Sequence, residues 1–240
     1  FEIPVPSLDI QKKIAEECKQ VDKEVITAID ELSSAEEKLA DLLNNISNYE
    51  VRLDTLCYVK GGKRIPKGMG YSASVTNHPY LRVSDFKDFS IDESDLHYIS
   101  EYVFEQIKNY TISSEDVYIS IAGTIGLVGI VPPNIDGANL TENAAKMIIK
   151  DHNSLIKEYL CLVLSSQKVQ SQIEVETKSI GVPKLALHRI ESLMIPYVEK
   201  TKQEEFVKKA MPYIKTISKA KSIMQHSTSR KQVILEKNLK

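Results

Sequence analysis

The 240 residues carry 31 Lys+Arg against 33 Asp+Glu, and 42% of them are hydrophobic. That hydrophobic content is ample for one or two globular units, and the near-even charge leaves no global basic field of the kind that advertises nucleic acid, although the charge is unevenly spread. Cys18, Cys57 and Cys161 lie far apart with no CxxC or Cys/His cluster, which argues against a zinc site or a disulfide framework and fits a reducing cytoplasm; no apolar run reaches membrane-spanning length.

The chain opens Phe1-Glu2-Ile3-Pro4-Val5-Pro6. Residues before proline are pushed out of the helical region, so this is an extended segment. Ser7 is the predicted N-cap of a long helix. From there the apolar residues are Ile14, Cys18, Val21, Val25, Ala28, Leu32, Ala35, Leu39, Leu42 and Ile46. Their spacing alternates four and three without a break, the seam of a coiled-coil helix rather than the wider stripe of a core helix. Charged residues fill the positions between, and neither Gly nor Pro occurs from Ser7 to Ile46. A helix from about Ile10 to Ile46 is roughly 55 Å long, and its seam needs a partner helix.

From Tyr49 to Glu191 the pattern changes to short apolar runs punctuated by glycine, a mixed α+β domain. Val51–Lys60 reads as a strand with a turn. Gly61 to Gly68 is a basic, glycine-rich loop. Tyr80–Val83, Asp116–Ala122, Leu127–Val131 and Ala144–Lys150 read as strands. Ser100–Asn109, Ser154–Ser165 and Leu185–Leu193 read as helices, and Thr177–Lys184 as a loop.

Ile195-Pro196 followed by Gln203 then repeats the spacing of Ile3-Pro4 and Gln11. A shift of 192 residues places Ile14 on Phe206, Cys18 on Ala210, Val21 on Tyr213, Val25 on Ile217, Ala28 on Ala220, Leu32 on Met224 and Leu42 on Ile234. Residues 1–48 hold 5 Lys+Arg and 11 Asp+Glu, and residues 191–240 hold 11 and 5. Opposite charges flanking two apolar seams favour pairing between the two helices over self-pairing. The helix-pairing residues are therefore Ile14, Val21, Val25, Leu32, Leu39 and Leu42 with Phe206, Tyr213, Ile217, Met224 and Ile234. Thr201-x-x-Glu204 reads as a capping box. Pro212 is expected to kink or restart the second helix, and the seam weakens at Ser227 and Lys231. The predicted architecture is α+β: 1–48 and 192–240 form an antiparallel coiled coil, and 49–191 form the domain between them.

Catalytic motifs are sparse. Gly61-Gly62-Lys63 lacks the spacer and the Ser/Thr of a P-loop, and Gly123-x-x-Gly126-x-x-Gly129 is not the dinucleotide fingerprint. Glu174-x-Glu176-x-Lys178 lacks a Pro-Asp partner, so a solvated helix end explains it better than a nuclease. The five histidines, His78, His97, His152, His188 and His226, have no obvious nucleophile pairing, and surface positions explain them. No metal or cofactor site is indicated. What remains is a binding pattern. Lys60, Lys63, Arg64 and Lys67 could position a phosphate backbone, and they read equally as a solvated loop. Asn139, Thr141 and Asn143 could read base edges, although a capped turn explains them at least as well.

In order along the chain, these segments resemble the DNA specificity subunit of type I restriction-modification enzymes. The two proline-containing openings with Gln11 and Gln203 resemble that family's conserved helical regions. Leu53–Pro66, Pro79–Val83, Asp116–Gly126, Asn139–Ala145 and Pro183–Leu187 resemble its target recognition domain. The second opening departs from the pattern, with Val198 where Pro6 stands in the first. The resemblance implies a non-catalytic subunit without a cofactor of its own. It would read one half of a split site in double-stranded DNA, dock methyltransferase subunits through its helices, and meet the nuclease/translocase subunit through the complex. It adds Tyr80, Arg82, Ser84, Thr124, Lys146 and Lys184 to the expected DNA face. Only one recognition domain is visible, so the chain looks like half of a longer subunit, or a half-subunit that pairs with another half or with itself. The alternative is a coiled-coil scaffold whose globular head binds protein.

Overall fold

The computed structural model describes residues 5–177 and 183–239. In chain order the helices are α1 (Leu8–Asn44), α2 (Leu53–Leu56), α3 (Glu101–Ile107), α4 (Lys157–Ser165), α5 (Gln167–Thr177), α6 (Leu187–Glu191) and α7 (Lys200–Asn238). The strands are β1 (Glu50–Arg52), β2 (Cys57–Gly61), β3 (Pro79–Leu81), β4 (Phe86–Lys87), β5 (Ser90–Ile91), β6 (His97–Tyr98), β7 (Val117–Ser120), β8 (Val128–Ile130), β9 (Asn139–Leu140), β10 (Ala144–Ile149) and β11 (Met194–Pro196). They form two compact units. One holds the described residues up to Asp41 and those from Lys209 onward, and the other runs Leu42–Lys208.

The first unit is a helix pair. Ser7 caps α1: its hydroxyl accepts from the Ile10 amide at 3.5 Å and its carbonyl from the Gln11 amide at 2.9 Å. Along the seam Val21, Ala28, Ala35 and Leu39 are buried, as are Ala210, Ile217 and Ala220 of α7. Ile14, Val25 and Leu32 are half-buried, as are Tyr213, Met224 and Ile234. The pairing is antiparallel. As the α1 residue descends from Glu36 through Glu24 and Asp22 to Glu17, its α7 partner climbs from Lys221 through Arg230 and Lys231 to Asn238. The acidic and basic flanks thus meet as ion pairs. Lys231, where the apolar seam fails, carries one of them to Asp22.

Three expectations are corrected here. Of the kink or restart expected at Pro212, the restart does not occur: α7 continues through it, with the Pro212 side chain exposed, and the missing N–H removes one bond to Lys208 without ending the helix. Helix α7 already begins at Lys200, with the Glu199 carbonyl accepting from Lys202 and Gln203, so Thr201 lies inside the first turn and is not its cap. Phe206 falls outside the helix-pair unit, standing edge-on to Tyr159 at 5.7 Å and anchoring α7.

The second unit is α+β. Its main sheet has the order β2-β10-β7-β8, with every neighbour antiparallel. A smaller sheet, β6-β3-β9, contains a parallel pair that sets Tyr80 beside Asn139. In the segment expected as a strand with a turn, Val51–Lys60, the turn is the helical α2, which lets β1 and β2 join different sheets. Six consecutive residues of α4, Tyr159–Leu164, are buried, so this helix is enclosed on all sides. The core joins Leu81, Phe86, Ile112, Leu140 and Tyr118, with Phe86 stacked on Tyr118 at 4.0 Å. Burial pushes the Tyr118 hydroxyl well above its ordinary pKa. Strand β1 pairs with β11, Glu50 opposite Pro196, so the chain enters and leaves this unit side by side.

The sequence repeat is also a structural one. The Gln11 side chain donates to the Pro6 carbonyl at 2.8 Å, and the Gln203 side chain donates to the Val198 carbonyl at 2.8 Å, both five residues back. Gln203 is fully buried and also clips the start of the α4 segment, donating to the Ser154 carbonyl and accepting from the Ile156 amide, each at 2.9 Å. Gln11 is exposed.

Candidate nucleic-acid interface

The candidate site is a rim of turns held by the two sheets. Just past β2, the Gly62 amide donates to the Ala144 carbonyl at 3.0 Å and the Lys63 amide to the Leu140 carbonyl at 2.8 Å. A Cβ on Gly62 would lie 2.1 Å from the Thr141 carbonyl oxygen and 2.3 Å from that of Leu140. Only glycine permits so close an approach of two backbones, and it brings the basic loop against the turn Thr141–Ala144. That turn is closed by the Ala144 amide on the Thr141 carbonyl at 3.1 Å. Its other anchors are the Leu81 carbonyl, which accepts from Thr141, and the amides of Ile121 and Ala122, which donate to Asn143.

Two further segments complete the rim. Ser120 shapes the loop after β7: its hydroxyl donates to the Thr124 carbonyl at 2.6 Å and accepts from the Leu127 amide at 2.8 Å. Gly123 and Gly126 supply the positive φ values, 74° and 89°, that this loop requires. Ala122 bridges Lys184, and the Leu185 amide donates to the Ile121 carbonyl. The structure thereby gathers Lys63, Arg64, Glu142, Asn143, Thr124 and Lys184 from four separate segments.

Lys60, Lys63, Arg64, Lys67, Thr124 and Lys184 are exposed and Asn143 is half-buried. The Lys63 ammonium sits 5.5 Å from the centre of the Tyr110 ring, a cation–π contact. Arg64, 77% exposed, donates through Nε to Glu142 at 2.5 Å. Partial burial pushes the Glu142 carboxyl up, but hydrogen bonds from Arg64 and Thr141 outweigh it and hold it below its ordinary value. The same pair raises the Arg64 guanidinium.

Several expected contact residues serve the framework instead. Asn139 is fully buried in β9, where its amide donates to the Ile107 carbonyl at 2.9 Å; it seals the end of α3 and cannot reach a base edge. Tyr80 is 3% exposed, donates to the Lys63 carbonyl at 2.9 Å and has its hydroxyl pushed up to about 12 by burial. It steadies the basic loop from beneath. Thr141 is buried and donates to Glu142. Arg82 is bound to Asp85, which takes both a side-chain pair at 2.6 Å and the Arg82 amide at 2.7 Å, and to Asp95 at 3.1 Å. Ser84 is exposed and leans on Asp85 at 3.3 Å, as part of the Arg82 cluster. Lys146, directly across from Lys60, pairs with the buried Asp116 at 3.1 Å. Lys178, the last member of the acid/lysine cluster considered from sequence, lies outside the described residues.

Sequence reasoning passed over Glu142, although it stands between Thr141 and Asn143. The signal available was a lone acid in a polar turn; its partner, 78 residues earlier, was not legible. Among the described residues no group of three or more His, Cys, Asp or Glu side chains could hold a metal ion, and no helix is long and apolar enough to cross a membrane.

The family described as type I restriction modification DNA specificity domain matches residues 46–225, most of the chain. The chain belongs to the type I restriction-modification DNA specificity family. A specificity subunit from Escherichia coli, that of the type I restriction enzyme EcoBI, is 27% identical over 195 residues, covering 78% of this chain and 38% of the subunit. Among solved structures, the S subunit of a type I system from M. genitalium superposes with a TM-score of 0.68 at 11% identity, over 97% of this chain and 61% of that one. The HsdS subunit from Thermoanaerobacter tengcongensis gives a TM-score of 0.60 at 17% identity, over 99% and 60%. At these identities the structural likeness establishes the fold alone, an α+β domain with long helices that pack on each other. The chain spans 38% of the length of the Escherichia coli subunit and about three fifths of that of each solved chain, less than two thirds in every case.

Proposed function

We propose that this chain reads one half of a bipartite site in double-stranded DNA, as the cytoplasmic specificity component of a type I restriction-modification complex. The observation that carries this is the rim, where Gly62 presses a loop bearing Lys63, Arg64 and Lys67 onto the turn that presents Glu142 and Asn143. Cations beside a rigid polar turn provide both halves of recognition. Lys60, Lys63, Arg64, Lys67 and Lys184 would position phosphates, and Asn143, Thr124 and Glu142 would face base edges. Asn139, Tyr80 and Arg82 support this surface without touching DNA.

The helix pair would dock methyltransferase subunits, through which the nuclease/translocase subunit joins. A second half-site needs a second recognition unit. Supporting this is the opening segment, where Gln11 repeats the local geometry of Gln203 but stands exposed, free to clip a unit of the same kind from a second half-subunit or a second copy. The experiment is selection of a random duplex pool by the full chain, followed by sequencing. A recovered consensus supports the reading; a pool recovered without sequence enrichment would defeat it. Co-purification with methyltransferase subunits tests the docking role, and a chain that never co-purifies with them would defeat it.

A further inference from the structure

Glu142 is an anomaly on a surface proposed to meet a polyanion. It is the one carboxylate in the gathered rim set, and its charge opposes phosphates. Yet the fold fixes it firmly. Its turn is closed by the Thr141–Ala144 hydrogen bond, anchored to Leu81, Ile121 and Ala122 through the backbone, and backed by Gly62. The side chain keeps 24% of its surface exposed. One carboxylate oxygen accepts from the Thr141 hydroxyl at 3.0 Å and the other from Arg64 Nε. Arg64 engages through Nε, and its largely exposed guanidinium keeps the terminal nitrogens available for a phosphate, which it can grip in the usual fork geometry.

We propose that Glu142 is a specificity-determining residue that accepts a hydrogen bond from the exocyclic amino group of a cytosine in the major groove. The inference rests on the DNA-recognition reading above. While the terminal nitrogens of Arg64 hold a phosphate, the carboxylate, bonded to Thr141 and to Arg64 Nε, keeps lone pairs that a donor on a base edge can fill. The major groove offers two amino donors, cytosine N4 and adenine N6. An ionised carboxylate only accepts, and adenine sets the N7 acceptor next to its amino group, a match for an amide rather than an acid. Cytosine is the base that fits. A thymine or guanine at the same place presents an acceptor to the carboxylate and is rejected.

The test is the duplex selection repeated with the full chain carrying Glu142→Gln or Glu142→Ala. The wild-type consensus contains a cytosine that becomes adenine in Glu142→Gln, because glutamine matches adenine bidentately. In Glu142→Ala that position loses its preference, with discrimination falling about tenfold. A residue that merely held Arg64 in place would lower affinity for all sequences alike and leave the consensus intact. A wild-type consensus unchanged in both variants overturns the assignment of Glu142 alone. A wild-type pool with no consensus overturns the recognition reading, and this assignment with it.

Discussion

Replacing Lys63 and Arg64 together by alanine tests the basic loop most directly. Both side chains are exposed, and neither backbone changes its anchoring, since the Lys63 amide still reaches the Leu140 carbonyl. Each phosphate neutralised contributes about 0.9 to the slope of log affinity against log salt. Losing two contacts therefore makes the slope shallower by about 1.8. Between 50 and 200 mM salt this narrows the affinity gap between wild type and variant by about tenfold. The two residues differ in one respect. Arg64 is partnered by Glu142, so Arg64→Ala also leaves a carboxylate uncompensated on the rim. Arg64→Ala should then lower affinity more than Lys63→Ala while moving the slope by the same single unit. Fluorescence anisotropy on a labelled duplex over that salt range measures both quantities. A salt slope identical in wild type and double variant would remove this loop from the DNA surface.

Gly62→Ala should destabilise the chain by about 1–3 kcal/mol in urea unfolding, since a methyl group meets two backbone oxygens that cannot swing aside; an unchanged midpoint would mean the loop and turn are not in contact. Burial pushes the thiols of Cys57, to about 12, and Cys161 upward. A thiol reagent at pH 8 should therefore label the half-buried Cys18 first and all three only after denaturation, and three fast reactions would contradict the packing. Hydrogen bonds from Ser94, then Lys87, hold the Asp92 carboxyl down at about 2. Because its folded pKa is depressed, its contribution is present above about pH 4 and lost as the pH falls toward 2, so Asp92→Asn should flatten that limb of the stability profile. If the helices set the spacing between half-sites, one heptad inserted into each of α1 and α7 adds about 10 Å, or about three base pairs at ~3.4 Å each. Genome-wide methylation mapping would read that longer spacer directly, and an unchanged spacer with full activity would rule the helices out as the ruler.

The helix pair was legible in the sequence because its information is local. Alternating spacings of three and four mark the buried positions, and the net charges of the two segments anticipate Arg230 on Glu24 and Lys231 on Asp22. The glycine-punctuated strands of the domain were legible for the same reason. Roles fixed by partners distant in sequence were not. Asn139 reads as a polar loop residue, yet a parallel strand pairing with Tyr80 and a carbonyl 32 residues earlier turn it inward. Arg82 reads as a free cation, but Asp85 and Asp95 hold it. Phe206 keeps the seam's spacing, and only the position of Tyr159 shows that it faces the domain.

Turns make poor reading surfaces when they are mobile, because a base-reading group must be held to within about 0.5 Å. Here the feet of each turn are sheet residues. The Thr141–Ala144 turn leads directly into β10, whose strand partners are β2 and β7, and the loop after β7 is closed by Ser120 of that same strand. Side chains at the tips, Glu142, Asn143 and Thr124, are exposed or half-buried, and surface substitutions away from such anchors usually change stability by less than about 0.5 kcal/mol. The residues beneath them, Gly62, Tyr80, Asn139 and Ser120, are fixed by backbone approach or by buried hydrogen bonds. If these tips read the target, its preference can drift there while the framework stays constant. Substitutions exchanged among the tips should move the recognised bases with little change in the unfolding midpoint, whereas the same number of changes in the layer beneath should abolish folding before they alter preference.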